Sequence, residues 1–254
     1  MTAKYPARFY AAVHDGNPGD VEFYRRRCAS ARSIVELGCG DARVLAALAE
    51  PGRTLVGVDI DAEQLELAAA RARACGATVE LIEADMRTTD LLARVGGRRF
   101  DRVIVPHGGI YCLLDEDALA DTLRRAAGLL DDHGLLLVDA WAADDFHREA
   151  EPEDQDPSWL ERVKTIEVDG AAYEVLERST WDKPNQRLDV TYIHVRVGGE
   201  EAIEGLLEQR YVLADQLCEL LARVGLDLVE LAGDFEGGPY DEQSEVMVVT
   251  ARRK

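Results

Sequence analysis

At 254 residues, with 47% hydrophobic and 31% charged residues and a mean hydropathy of -0.19, the chain suits one large α/β domain with an added subdomain, and no apolar run approaches the roughly 20 residues that span a bilayer. Its 49 acidic residues against 29 basic ones leave a formal charge of -20, a field that repels the polyanionic backbone of nucleic acids. The five cysteines (Cys28, Cys39, Cys75, Cys112, Cys218) are scattered and odd in number, which argues against a disulfide framework or zinc cluster, and the start Met1-Thr2-Ala3-Lys4-Tyr5-Pro6 lacks a secretory pattern, so a cytoplasmic location is expected.

Taken in chain order, Phe9, Tyr10 and Val13 read as the apolar side of a short docked helix within an N-terminal segment of residues 1–32. From residue 33 short apolar runs alternate with amphipathic stretches, the pattern of βα units feeding a parallel sheet. Strands are expected at Ser33 to Leu37, Thr54 to Ile60, Thr78 to Glu83, Phe100 to Pro106 and Gly134 to Trp141. Val44, Leu45 and Leu48 mark the first crossover helix, while Leu119, Leu123, Ala127 and Leu130 recur at helical spacing before the fifth strand. Asp61 with Gln64 reads as a capping box opening the second crossover helix, which Gly76 closes.

After Trp141 the character changes. Residues 144–160 are acidic, with Pro152 and Pro157, and read as an irregular connection or short helix. Segments 162–169, 172–181 and 187–197 then alternate as antiparallel strands around the turn sequences Asp169-Gly170 and Lys183-Pro184-Asn185-Gln186, with Ala202 to Val212 as a fourth. Leu217, Leu220, Leu221 and Val224 mark a last helix ending at Gly225, followed by strands from Leu226 to Leu231 and Glu245 to Thr250. The expected organisation is residues 1–32, a nucleotide fold over 33–143 and 213–254, and an inserted antiparallel subdomain over 144–212.

The segment Val35-Glu36-Leu37-Gly38-Cys39-Gly40-Asp41-Ala42-Arg43 sits where a strand turns into a helix. Gly38 and Gly40 let the backbone turn sharply and approach a ligand, and the helix start offers free N–H groups. Asp59 ends the next strand nineteen residues past Gly40, a spacing that suits a carboxylate accepting both hydroxyls of an adenosine ribose. A dinucleotide fingerprint places a third glycine at position 43, where this chain has Arg43. Glu36 would sit badly beside a pyrophosphate but well beneath the positive end of S-adenosylmethionine (SAM), so the charge logic favours SAM over NAD.

Glu36-Leu37-Gly38-Cys39-Gly40-Asp41-Ala42 resembles the first motif of class I SAM-dependent methyltransferases, with Ala42 in place of the usual third glycine. Gly57-Val58-Asp59-Ile60-Asp61 resembles that family's ribose-binding motif, Glu83-Ala84-Asp85-Met86 its adenine-contacting segment, and Phe100-Asp101-Arg102-Val103-Ile104-Val105 its fourth strand. The antiparallel insertion and the closing segment Gly233 to Tyr240 are similar to small-molecule N-methyltransferases of the amino-sugar and glycine or sarcosine types. The resemblance implies a Rossmann-like seven-stranded sheet of order 3-2-1-4-5-7-6 with strand 7 antiparallel and the insertion after strand 5. It also implies Glu36, Gly38, Gly40, Asp59, Ile60, Asp85, Met86 and Pro106 at the cofactor, and residues 1–32 as a helical lid. The implied reaction is methyl transfer to nitrogen or oxygen of a small-molecule acceptor, leaving S-adenosylhomocysteine.

Three side chains are candidates for handling the acceptor's proton. His107 follows the fourth strand at the carboxyl edge of the sheet, where ligands of open α/β folds bind. Tyr10 and His14 lie in the expected lid. His133 reads as a solvated loop residue, His147 and His194 as structural with a substrate-facing role left open for His194, Trp141, Trp159, Trp181, Tyr192 and Tyr211 mostly as core, and Asp41 and Arg43 as helix-start and surface residues. The insertion, from about Val163 to Val197, is expected to form an antiparallel layer over the carboxyl edge of the sheet that supplies substrate contacts or a subunit interface rather than cofactor contacts, so a homodimer stays open. No ordered metal-ligand set is apparent, and Asp139 alone is a weak magnesium candidate. An NAD-binding oxidoreductase and a non-catalytic SAM-binding regulatory module remain the alternatives.

Overall fold

Ser33–Leu37 (β1) is buried from its second residue onward, as a central parallel strand covered on both faces must be. Around it the computed structural model describes residues 5–156 and 158–254. Met1 to Lys4, the start of the expected N-terminal segment, and Pro157 of the acidic connection lie outside the described residues.

Before β1 come two helices, Ala7–Val13 (α1) and Asp20–Arg27 (α2). After it, Arg43–Ala47 (α3), Thr54–Asp59 (β2), Ala62–Cys75 (α4), Glu80–Glu83 (β3), Leu91–Arg94 (α5) and Phe100–Val105 (β4) alternate as expected. Glu116–Leu129 (α6) runs directly into Leu130–Trp141 (β5), so that strand starts four residues earlier than its apolar run suggests. Leu130 turns to extended dihedrals as the helix ends and pairs with Phe100, which removes it from the helical stripe. Asp144–Glu149 (α7) lies at the start of the acidic connection. Four strands follow, Glu161–Val168 (β6), Ala171–Asp182 (β7), Arg187–Arg196 (β8) and Ala202–Arg210 (β9), and the chain ends with Ala214–Arg223 (α8), Leu226–Ala232 (β10) and Val246–Arg253 (β11).

The seven-stranded sheet has the order β3-β2-β1-β4-β5-β11-β10. Only β11 runs against its neighbours, pairing antiparallel with both β5 and β10, so the expected order 3-2-1-4-5-7-6 is what forms. Ile34, Ile104 and Leu137 from three adjacent strands join Val44, Leu45, Leu48 and Ala68 in its core. The Asp61–Gln64 capping box does not form. Asp61 accepts instead from the Glu63 N–H, and Gln64 is buried with its Oε1 lacking a protein partner.

The described chain divides into two compact units, residues 16–145 with 212–254 and residues 5–15 with 146–211. The first unit is the nucleotide fold, and it includes α2. The second is the four-stranded antiparallel sheet β6-β7-β8-β9 with α1 docked on it through Phe9 and Val13 against Ile166, Val175 and Val190. Helices α1 and α2, expected in one N-terminal segment, therefore belong to different units. Helix α1 follows its apolar face to the second sheet, where Tyr5 also lies against Gly205, a position at which any Cβ would meet the ring at 2.1 Å. Tyr192 and Tyr211 are buried as expected, but Trp159 is 68% exposed.

Candidate active site

The turn after β1 is built by backbone conformation. Gly38, Gly40 and Ala42 take φ of 70°, 50° and 58°, the left-handed region that glycine enters freely and alanine enters at a cost of roughly 1 kcal/mol, which is why a third glycine is usual at position 42. The N–H groups of Gly38 and Cys39 donate to the Val58 carbonyl at 2.8 and 2.9 Å, pinning the turn to the end of β2. Beneath it Cys39 packs so closely on Gly57 that a Cβ there would stand 2.8 Å from the sulfur. Burial pushes the Cys39 thiol well up, in keeping with a space-filling role.

Asp59 ties the two loops together. Its Oδ2 accepts from Gly40 N–H at 2.7 Å and its Oδ1 from Asp61 N–H at 2.9 Å. Burial raises its pKa, and the backbone donors of Asp61 and Gly40 oppose that rise. Ile60 beside it is 64% exposed. At the end of β3, Asp85 is gripped by the Arg87 guanidinium at 2.6 Å, which holds its carboxyl below the usual range, and Met86 is half-buried. Glu36, next to last in β1, is 3% exposed with Oε2 lacking a protein partner. Burial drives its pKa well above the ordinary value, against the pull of Arg43.

Arg43 is not a surface residue. It forks onto Asp20 at 3.0 and 2.5 Å, with only 17% of its side chain and 4% of Asp20's exposed. Nothing in the local sequence marks this pair, which joins two helices across 23 positions. Gln64, read as a cap, is a further residue that sequence reasoning placed wrongly: its amide oxygen lies 3.9 Å from where a Cβ at Gly40 would stand.

At the end of β4, Pro106 is buried and His107 takes a φ of 53°. The His107 N–H donates to Asp139 Oδ2 at 3.0 Å, and the Gly108 N–H to the Asp139 carbonyl at 2.8 Å. Tyr24 donates its hydroxyl to Asp139 Oδ1 at 2.6 Å. Burial is the main reason the Asp139 pKa is pushed up to about 6, with the Tyr24 and His107 hydrogen bonds opposing it. Both oxygens of Asp139 are thus occupied by protein donors. Among the described residues no group of three His, Cys, Asp or Glu is placed to hold a metal ion.

The ends of β1, β2, β3 and β4 lie on one edge of the sheet because these strands are parallel, and the order reverses between β1 and β4, the switch point where open α/β sheets bind ligands. Gly38, Gly40, Asp59, Ile60, Asp85, Met86, Pro106 and His107 all fall there. The glycine turn with open space at Gly38, the carboxylate Asp59 and the orphaned buried oxygens of Glu36 and Gln64 fit a nucleoside bearing a cationic group. Tyr10 and His14 belong to the second unit, where their rings lie 4.2 Å apart and Tyr5 meets Tyr10 edge-on at 5.5 Å.

The sequence pattern of a methyltransferase domain matches residues 34–134. The solved CcbJ methyltransferase of Streptomyces caelestis is 27% identical and superposes with a TM-score of 0.75 over 94% of this chain and 97% of its own. The chain is a SAM-dependent methyltransferase. It is also 26% identical, over 74% of its length and 69% of the relative's, to the dTDP-3-amino-3,6-dideoxy-alpha-D-glucopyranose N,N-dimethyltransferase of Streptomyces fradiae. SAM-bound CalS10, an amino pentose methyltransferase from Micromonospora echinaspora, shares the fold at 17% identity, with a TM-score of 0.67 over 100% of this chain and 99% of that one. The dinucleotide alternative falls away: Arg43 is committed to Asp20 at the position where that fingerprint requires a glycine. No described helix of the methyltransferase is long and apolar enough to cross a membrane.

Proposed function

We propose that this methyltransferase transfers the methyl group of SAM to the amine nitrogen of a small acceptor of amino-sugar type. The observation that carries the reading is the likeness, along most of the chain, to a protein named for N,N-dimethylation of a dTDP-linked amino sugar. Bound SAM supplies a methyl group on an already activated sulfonium, so transfer is an in-line displacement that asks mainly for alignment and a dry cavity.

The chain's own residues divide that work. The Gly38 to Gly40 turn brings backbone close to the cofactor, and Asp59 accepts from the ribose hydroxyls. Asp85 accepts from the adenine amine, Met86 and Ile60 supply apolar cover, and Glu36 faces the cationic end. Pro106 shapes the wall before His107. An amine must present a neutral lone pair, and His107 is the group assigned to take its proton, with Tyr10 and His14 as the remaining candidates.

A screen with methyl-labelled SAM against matched pairs of amino sugars and their hydroxyl counterparts tests the reading. Label is expected in the amines. Label entering only the hydroxyl partners would overturn nitrogen as the methylated atom.

A further inference from the structure

We infer that Asp139, held in turn by Tyr24, is a positioning residue for the His107 turn and aims the imidazole without touching substrate. The inference rests on the assignment of His107 to the acceptor's proton, and extends it to two residues that lie far from His107 in sequence.

The turn needs such a holder. His107 and Gly108 are consecutive left-handed residues, with φ of 53° and 70°, and an L side chain rarely adopts that conformation unless its surroundings over-determine it. Asp139 grips both. Its side-chain Oδ2 accepts the His107 N–H and its main-chain oxygen accepts the Gly108 N–H. A residue near the end of β5 thereby sets the direction in which the chain leaves β4, the neighbouring strand.

Tyr24 completes the arrangement from α2. Its hydroxyl takes the other oxygen of Asp139 at 2.6 Å, and both side chains are fully buried, which leaves no bulk water to replace a lost bond. The carboxylate at position 139 accepts at both oxygens, from the Tyr24 O–H on one and the His107 N–H on the other. An asparagine that kept its oxygen on the His107 N–H would turn its NH2 toward Tyr24, whose hydroxyl would have to switch from donating to accepting and lose Asp139 as the acceptor for its own proton.

The test uses two variants, Tyr24→Phe, which removes one oxygen and keeps the ring, and Asp139→Asn. Amide hydrogen exchange on the S-adenosylhomocysteine complex needs no acceptor. The His107 amide, held by the side chain of Asp139, is expected to exchange at least about tenfold faster in both variants, with cofactor affinity within about twofold of wild type. With an amine acceptor taken from the labelled screen, Tyr24→Phe should lower kcat roughly tenfold at unchanged KM for SAM, yet lower it no further in a His107→Phe background. Unchanged exchange at His107 in both variants would overturn the inference. So would an equal kcat loss with and without the imidazole, since that describes general loosening. If His107→Phe alone left kcat untouched, the assignment of His107 would fail, while the exchange result would still report whether Asp139 holds the turn. Should Asp139→Asn fail to fold, Tyr24→Phe decides by the same two readouts.

Discussion

Replacing Asp59 by alanine removes the carboxylate that joins the turns after β1 and β2, and its proposed effect on cofactor binding is separable from its effect on stability. In the protein alone the carboxylate accepts from Gly40 and Asp61, bonds that by themselves are worth about 1.5 to 3 kcal/mol when the acceptor is charged. Its raised pKa, caused chiefly by burial, shows that the charge also carries a desolvation cost, which offsets part of that gain. The net stability loss is therefore expected near 1 kcal/mol. For the ligand no such offset exists: two ribose hydroxyl donors would be left unpaired, costing about 1 to 3 kcal/mol, or roughly tenfold to a hundredfold in affinity. Calorimetry with S-adenosylhomocysteine at neutral and mildly acidic pH is the assay. Because the carboxyl must be ionised to accept both hydroxyls and its pKa lies above the ordinary aspartate value, wild-type affinity should fall as pH drops through that raised value. Affinity of the alanine variant should lack this component. Wild-type affinity in Asp59→Ala at neutral pH would refute the assignment.

Three further outcomes are expected. His107→Phe should lower turnover by roughly a hundredfold with SAM affinity nearly unchanged; an acidic limb of the pH-rate profile that persists in His107→Asn would move the titrating role to His14 or the substrate amine. Gly57→Ala should cost about 1 to 3 kcal/mol in chemical denaturation, because its Cβ would press on Cys39, Leu81 and Leu45 at 2.8 to 3.2 Å; a loss below about 0.5 kcal/mol would contradict that packing. His194 is fully buried without a hydrogen-bond partner, and burial lowers its pKa from 6.5 to about 4. The unfolded chain then binds the proton more readily, so stability falls as pH drops from 6.5 toward 4, by about 2 kcal/mol at pH 5. His194→Phe should remove that part of the acid sensitivity in urea titrations at pH 5 and 7, and an unchanged pH difference would refute the neutral buried state.

Most of the nucleotide fold could be read in the sequence because parallel strands covered on both faces must be short continuous apolar runs. Ser33 to Leu37 and Phe100 to Val105 announce themselves for that reason, and the glycine turn followed by Asp59 does so because a sharp turn out of a strand needs glycines whose backbone can take positive φ. The places where reading failed share one cause. Leu130 continued a helical stripe until pairing with Phe100 claimed it, Gln64 matched a cap until packing turned it inward, and Arg43 looked like a solvated charge until Asp20 approached from another helix.

By itself, then, the amino-acid order determined which segments become strands and helices and where the glycine turn after the first strand lies, since both follow from local periodicity and from residue types a few positions apart. Tertiary structure alone decided that α1 leaves its sequence neighbours for the second sheet, and that Tyr24 and Asp139, 115 positions apart, meet beneath His107. Such pairings depend on which faces are brought together when apolar surface leaves water, and a buried hydrogen bond between distant residues leaves no periodic trace along the chain.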